Sequence, residues 1–196
     1  MYNLSNYTYL DKLLMDKAKH LEKVASEIKN CKICKIGKSG KAVVGIGNPN
    51  AKIVFVGEAP GKTEAKVGLP FIGRSGKLLR EYITKIGLDI DDVYITSPVK
   101  YLPDRGTPTK EDVEHGKIHF LKQLEIINPK IIVLLGATAA FAIFSEKIPV
   151  LKRHGEVIEK DKRMYLLTLH PAAVLRFPNK FKSIFLNDLN KLEKLV

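Results

Sequence analysis

Three residues with chemically useful side chains stand at comparable points of the chain, each just after a short apolar run. Glu58 follows Ile53-Val54-Phe55-Val56-Gly57, Ser97 follows Val93-Tyr94-Ile95-Thr96, and His170 follows the run that ends at Leu169. A carboxylate, a hydroxyl and an imidazole accept, donate and relay protons, and they stabilise charge as it develops at a reacting centre. Short apolar runs rich in β-branched residues read as buried strands. In open α/β sheets ligands sit at the carboxyl ends of strands. Parallel strands would therefore bring these three residues to one crevice. Gly57 and Gly61 permit a sharp turn around Glu58, and Pro60 fixes its own φ there.

The second chemical candidate is Cys31-Lys32-Ile33-Cys34. It is half of a metal site, half of an iron–sulfur site, or a redox pair. The chain has only 2 cysteines, so a four-cysteine cluster lacks two thiolates. A zinc site could recruit His115 or His119, which sit four apart on a predicted helix, but the sequence does not place them near Cys31. A thioredoxin-like pair opens a helix after a strand, whereas this pair follows a helix. The expectation is a site without a metal. A P-loop is set aside as well: three residues rather than four separate Gly57 from Gly61 ahead of Lys62-Thr63. Pro60 also removes an amide that would face a phosphate.

Periodicity gives the elements that must position these groups. Leu10, Leu13, Leu14, Leu21, Val24 and Ile28 recur at spacings near three and four and predict an amphipathic helix over 9–29. Residues 37–50 read as loop with an edge strand at 42–44, and the strand at 53–57 leads into a loop over 62–73. A helix over 75–86 turns Leu78, Leu79, Tyr82 and Ile86 to one face and stops at Gly87. The strand at 93–96 ends at Ser97-Pro98, since proline cannot donate within a sheet. Thr109 and Asp112 form a capping-box pattern opening a helix to about 127, with Val113, Phe120, Leu121, Leu124 and Ile127 inward. A strand at 131–135, a helix at 137–145, a hairpin of 155–160 and 164–169 and a final helix over 179–195 follow. This alternation predicts a three-layer α/β/α fold on a central, mainly parallel four-stranded sheet. With no repeat or linker, the 196 residues read as one domain over 1–196.

The chain carries 33 Lys and Arg against 21 Asp and Glu, a net charge of +12. Such a balance points to an anionic partner, nucleic acid ahead of an anionic membrane. A lysine-rich solvated surface is the alternative account. Arg74, Lys77, Arg80, Lys100, Arg105, Arg176, Lys180 and Lys182 fall near the strand-end loops, where they would track a phosphate backbone. The first residues do not read as a secretion signal, and no apolar run approaches the ~20 residues of a membrane span. The expectation is a soluble intracellular protein without membrane contact.

Six short motifs occur in order: Cys31-x-x-Cys34, Val56-Gly-Glu-Ala-Pro-Gly61, Gly68-Leu-Pro-Phe-Ile-Gly-Arg-Ser-Gly76, Val93-Tyr-Ile-Thr-Ser-Pro-Val-Lys100, Pro129-Lys-Ile-Ile-Val-Leu-Leu-Gly136 and His170-Pro-Ala-Ala-Val-Leu-Arg176. From Cys31 to about Arg176 the pattern resembles the uracil-DNA glycosylase superfamily, most of all family 4, the iron–sulfur type of archaea and thermophilic bacteria. The resemblance implies a DNA glycosylase of base excision repair that flips out a damaged base, uracil first, and hydrolyses its N-glycosidic bond. It implies Glu58 and His170 as catalytic residues, the imidazole bonding the departing base. Gly57, Ala59, Gly61, Phe71 and Ser97 would form the base pocket, with Phe71 stacked on the base. Arg74, Lys100 and a loop of Val174, Leu175 and Arg176 would contact DNA, in a monomeric, cytoplasmic and nucleoid-associated protein of prokaryotic type.

Three positions depart from that family. Its base-reading Asn is Ser97 here, and one hydroxyl cannot replace the paired donor and acceptor of an amide. Its third and fourth cysteines fall at Tyr101 and Gly116. Its usual Asn-Arg reads Asp104-Arg105, one residue shorter. The first change leaves two alternatives: a glycosylase for hypoxanthine or mismatched thymine, and a catalytically silent DNA-binding relative. The second implies that the cluster is lost and no cofactor is held, with Cys31 and Cys34 binding metal only in a partial or atypical site.

Overall fold

The computed structural model describes residues 9–195, and side chains from Asp16 onward. Leu10, Leu13 and Leu14, expected on the inner face of the first helix, lie outside the described side chains. Helix α1 (Tyr9–Asn30) and the single turn α2 (Lys32–Lys35) precede two short strands, β1 (Lys38–Ser39) and β2 (Ile46–Gly47). Then come β3 (Ile53–Val56), α3 (Lys62–Val67), α4 (Arg74–Lys85), β4 (Val93–Thr96) and β5 (Leu102–Pro103). The second half runs α5 (Lys110–Ile127), β6 (Ile131–Leu135), α6 (Ala137–Phe144), α7 (Val150–Arg153), β7 (Val157–Lys160), β8 (Arg163–Thr168), α8 (Pro171–Arg176) and α9 (Pro178–Asn190).

Among the described residues the main sheet has 6 strands in the order β2-β4-β3-β6-β8-β7. The central β4, β3, β6 and β8 are parallel, as expected, while β2 and β7 add antiparallel edges. Every residue of β3, β4 and β6 is buried, the pattern of strands covered on both faces. Alternation divides their side chains between two cores. Val54, Val56, Ile132 and Leu134 meet Phe120 and Leu124 of α5 and Ala139 of α6. Ile53, Phe55, Ile131 and Val133 meet Leu79 and Ile83 of α4 and Phe185 and Leu189 of α9. Each such buried side chain contributes roughly 1.5–3 kcal/mol, so the strand ends are held by both layers. The chain leaves β3 toward β4 on one side and β6 toward β8 on the other. That reversal beside β3 creates the crevice where such sheets bind ligands.

Several local expectations change. The edge strand is Ile46–Gly47 rather than 42–44, because Val43 is buried and its N–H bonds Lys100 O at 2.8 Å. Part of the 62–73 segment is helical, since α3 fits between Gly61 and Gly68. On α4 Ile83 joins Leu79 as fully buried, while Ile86 is half-buried at the cap. Leu121 is exposed, and Gln123 turns inward instead because its amide meets Val44 O, Thr96 Oγ1 and Lys100 Nζ. The capping box of α5 closes as expected, with Asp112 N–H on Thr109 Oγ1 at 3.2 Å and Thr109 N–H on Asp112 Oδ2 at 2.9 Å. No helix among the described residues is long and apolar enough to cross a membrane.

Candidate active site

Beyond the carboxyl ends of β3 and β4 lies a cleft of about 300 Å³. Of the residues expected at the site, Ala59, Gly61, Phe71, Arg74, Ser97 and His170 all line it. Its volume is at the lower end for small-molecule pockets, in keeping with one flat ring system.

His170 caps the amino end of α8, and its Nδ1 accepts from Ala172 N–H at 3.2 Å. A ring nitrogen that accepts carries no proton, so the neutral imidazole keeps its proton on Nε2. Burial lowers the pKa of His170 below the ordinary histidine value, against the opposing field of the Glu58 carboxylate. The ring is thus neutral at pH 7 and brings one N–H donor to the cleft.

Phe71 faces it, with ring centroids 6.2 Å apart and planes inclined at 39°. Its φ of 51° is a left-handed conformation that a bulky residue adopts only when its surroundings enforce it. Those surroundings are visible. Glu64 Oε1 accepts from Ile72 N–H at 3.1 Å and Gly73 N–H at 2.8 Å, and Arg80 Nε donates to Phe71 O at 3.2 Å. Gly57 lies beneath the ring: a Cβ there would stand 2.5 Å from Phe71 Cζ. A Cβ at Gly76 would collide with the Phe71 carbonyl. Glu64 carried no sequence signal beyond being a polar residue in a predicted loop.

Glu58 is half-buried and does not line the cleft. Its Oε2 accepts from Thr138 Oγ1 at 2.6 Å, in the first turn of α6, where the helix dipole favours negative charge. It reaches the cleft through its field on His170. Ser97 is 5% exposed and its hydroxyl donates to Val99 O at 2.8 Å. The proton is committed within the protein, and lone pairs are what this hydroxyl retains for a ligand.

Two expected DNA contacts are corrected. Lys100 is 1% exposed, and its Nζ donates to Thr96 Oγ1 at 2.8 Å and Gln123 Oε1 at 2.7 Å. Burial lowers its pKa to about 7, and it supports the cleft wall from behind, out of reach of a phosphate. Val174 is fully buried, because 171–176 is a helix whose period turns that residue toward Leu79 and Phe181. Leu175 is half-buried and Arg176 exposed. The exposed apolar residue of this segment is Phe177, with the Arg176 guanidinium 5.3 Å from its ring centroid.

Away from the cleft, Cys31, Cys34, His115 and His119 converge, one donor atom from each lying within 4.8 Å of all the others. Cys31 caps α2 and its Sγ lies 3.2 Å from His115 Nε2. Both histidines project from one face of α5, and burial pushes the Cys34 thiol up to about 12. Helix packing, rather than any local pattern, unites the pairs, which is why spacing alone missed it.

The fold and cleft define the class. Residues 44–192 match the model of the uracil DNA glycosylase superfamily, and the chain belongs to that superfamily. Within it, the chain is 39% identical over 181 residues to a type-4 uracil-DNA glycosylase of Thermotoga maritima, covering 90% of this chain and 94% of that protein. It is 40% identical over 185 residues to the type-4 uracil-DNA glycosylase of Archaeoglobus fulgidus, covering 89% and 92%. The type-4 enzyme of Sulfurisphaera tokodaii is 40% identical over 186 residues, covering 89% and 84%.

The expectation that no cofactor is held is overturned by this kinship with type-4 enzymes, the type the resemblance marks as iron–sulfur, and by the four converging donors. Those donors nevertheless do not fit a four-cysteine cluster, which takes four thiolates where this chain has 2 cysteines. Tyr101 and Gly116, where the resemblance sets the other two cysteines, offer no thiolate: Tyr101 is buried with its hydroxyl 3.3 Å from both Ile28 O and Lys29 O. Any Cβ on Gly116 would collide with Pro98 O.

Proposed function

We propose that the chain excises a deaminated base from DNA, uracil first, by hydrolysing the bond between C1′ and the base nitrogen. The supporting observation is the pairing across the cleft of a fixed aromatic ring with a neutral imidazole whose proton is on Nε2. An extruded base stacks on Phe71, a contact worth roughly 1–3 kcal/mol against the few kcal/mol that extrusion costs. As the C1′–N bond breaks, its electron pair moves onto the base and a carbonyl oxygen becomes anionic. His170 Nε2–H and amides of the 58–61 turn donate to that oxygen. The Glu58 carboxylate stabilises the cationic sugar through its field, and the water that adds to C1′ gives up a proton to the departing base anion. Arg74 and Arg176 hold flanking phosphates, and the protein acts as a monomer over one domain.

Duplexes with a single uracil, hypoxanthine or mismatched thymine, followed by cleavage at abasic sites, test the reading. Release of uracil that falls at least about 10-fold in His170→Ala and Phe71→Ala, with DNA binding retained, is the expected result. No release from any of the three would refute it. The committed Ser97 proton favours a second reading, a base range wider than uracil.

A further inference from the structure

We propose that Cys31, Cys34, His115 and His119 bind one Zn²⁺ in a closed tetrahedral site that staples α2 to α5. Two thiolates and two imidazoles are the donor set of structural zinc, and the spacings Cys-x₂-Cys and His-x₃-His are those such sites use. Zn–S bonds of about 2.3 Å and Zn–N bonds of about 2.0–2.1 Å put tetrahedral donors roughly 3.3–3.8 Å apart. Here Cys31 Sγ and His115 Nε2 are 3.2 Å apart and no pair among the four donor atoms exceeds 4.8 Å, so small side-chain adjustments close the shell. A two-iron cluster with its thiolates on one iron and its imidazoles on the other would hold sulfur and nitrogen farther apart than this.

A second observation points the same way. His119 is 8% exposed, and its Nδ1 is buried without a hydrogen-bond partner. Metal at Nδ1 would fill that vacancy directly. Metal at Nε2 would fix the proton on Nδ1, facing Glu27 Oε2 at 4.0 Å, the carboxylate–imidazole pairing that supports zinc ligands. The local apolar cluster is small: Val24, Ile28, Cys34 and Tyr101 are its buried members. A metal crosslink supplies what so small a core does not. A cavity of about 170 Å³ lined by Cys34, Val99, Lys100 and His115 gives the ion a route to the site. All four positions come from protein, so the metal is structural. It braces Val99, whose carbonyl holds Ser97.

The test is elemental analysis of the untagged protein, acid-labile sulfide, and Co²⁺ exchange. The expected result is about one zinc per chain, no sulfide, and a cobalt form with the d–d bands and thiolate charge transfer of a tetrahedral S₂N₂ site. His115→Ala and His119→Ala should each weaken zinc binding at least about 10-fold and abolish that spectrum, and His115→Cys should restore a tetrahedral spectrum. Should Cys31→Ser or Cys34→Ser fail to fold, chelation of the wild type decides: Tm falls and added zinc restores it. Iron with stoichiometric sulfide, or a protein whose Tm ignores both chelator and zinc, overturns the proposal.

Discussion

Gly57→Ala isolates the role of the ring that we place against the base. The added methyl would stand 2.5 Å from Phe71 Cζ and 2.6 Å from Cε2, whereas carbon atoms in contact settle at about 3.5–4.0 Å. The ring must therefore retreat by roughly 1 Å or more. Its backbone cannot follow, being held by Glu64, by Arg80 and by the close approach of Gly76. The displacement is forced into the side chain, toward the space a base would occupy. Loss of a stacking contact worth roughly 1–3 kcal/mol corresponds to about a 5- to 150-fold fall in kcat/KM. Single-turnover release of uracil, measured beside binding to undamaged duplex, should show that fall with binding changed less than about twofold. In a Phe71→Ala background the same methyl should cost almost nothing, because the atoms it meets are gone. Additive losses in that double-mutant cycle would refute the argument, as would a Gly57→Ala enzyme of wild-type activity.

The pH profile should report His170. Its pKa lies below the ordinary 6.5, so the neutral, active ring persists down to that lowered value and activity falls as pH drops through it. Stability follows the same sign: the unfolded chain binds this proton more tightly, so stability falls as pH drops from about 6.5 toward the folded value. His170→Ala should flatten both acid limbs. Arg74→Ala and Arg176→Ala should each reduce the salt slope of DNA binding by about one, whereas Lys100→Met should leave the slope unchanged and alter Tm. Ser97→Asn should raise uracil release relative to hypoxanthine, and an unchanged ratio would remove Ser97 from base reading.

The central strands, their parallel order and the convergence of Ser97 and His170 were readable because burial on both faces leaves continuous apolar runs. Polar residues at their carboxyl ends then have one crevice to share. Phe71, by contrast, was reached only through the family resemblance, and Glu58, expected in the same crevice, turns to Thr138 instead. What was not readable depends on contacts distant in sequence. Lys100 looks like a surface cation until Thr96 and Gln123 are seen to hold it inside. Val174 looks like a loop residue until the Pro171–Arg176 helix turns it inward. His115 and His119 are four apart on a helix, a common spacing, and become a ligand set only where α5 packs against α2. Leu121 fits the apolar period of α5 yet is exposed, because the inward place went to Gln123 and its polar network.

Each group at or beside the cleft is oriented by a neighbour that has no need to touch the base. Ala172 N–H sets the tautomer of His170, Thr138 holds Glu58, Val99 O holds Ser97, and Glu64 with Arg80 holds Phe71. Donors fixed in advance stabilise a forming anion without reorganising as the bond breaks, the condition under which electrostatic catalysis is largest. The same fixity limits selectivity. A hydroxyl whose proton is bound to Val99 O accepts a ring N–H and cannot also donate to a neighbouring carbonyl. In the proposed complex Ser97 then contributes one accepted hydrogen bond to base reading, worth about 1 kcal/mol net, and the His170 and turn donors with shape against Phe71 must supply the rest of the discrimination.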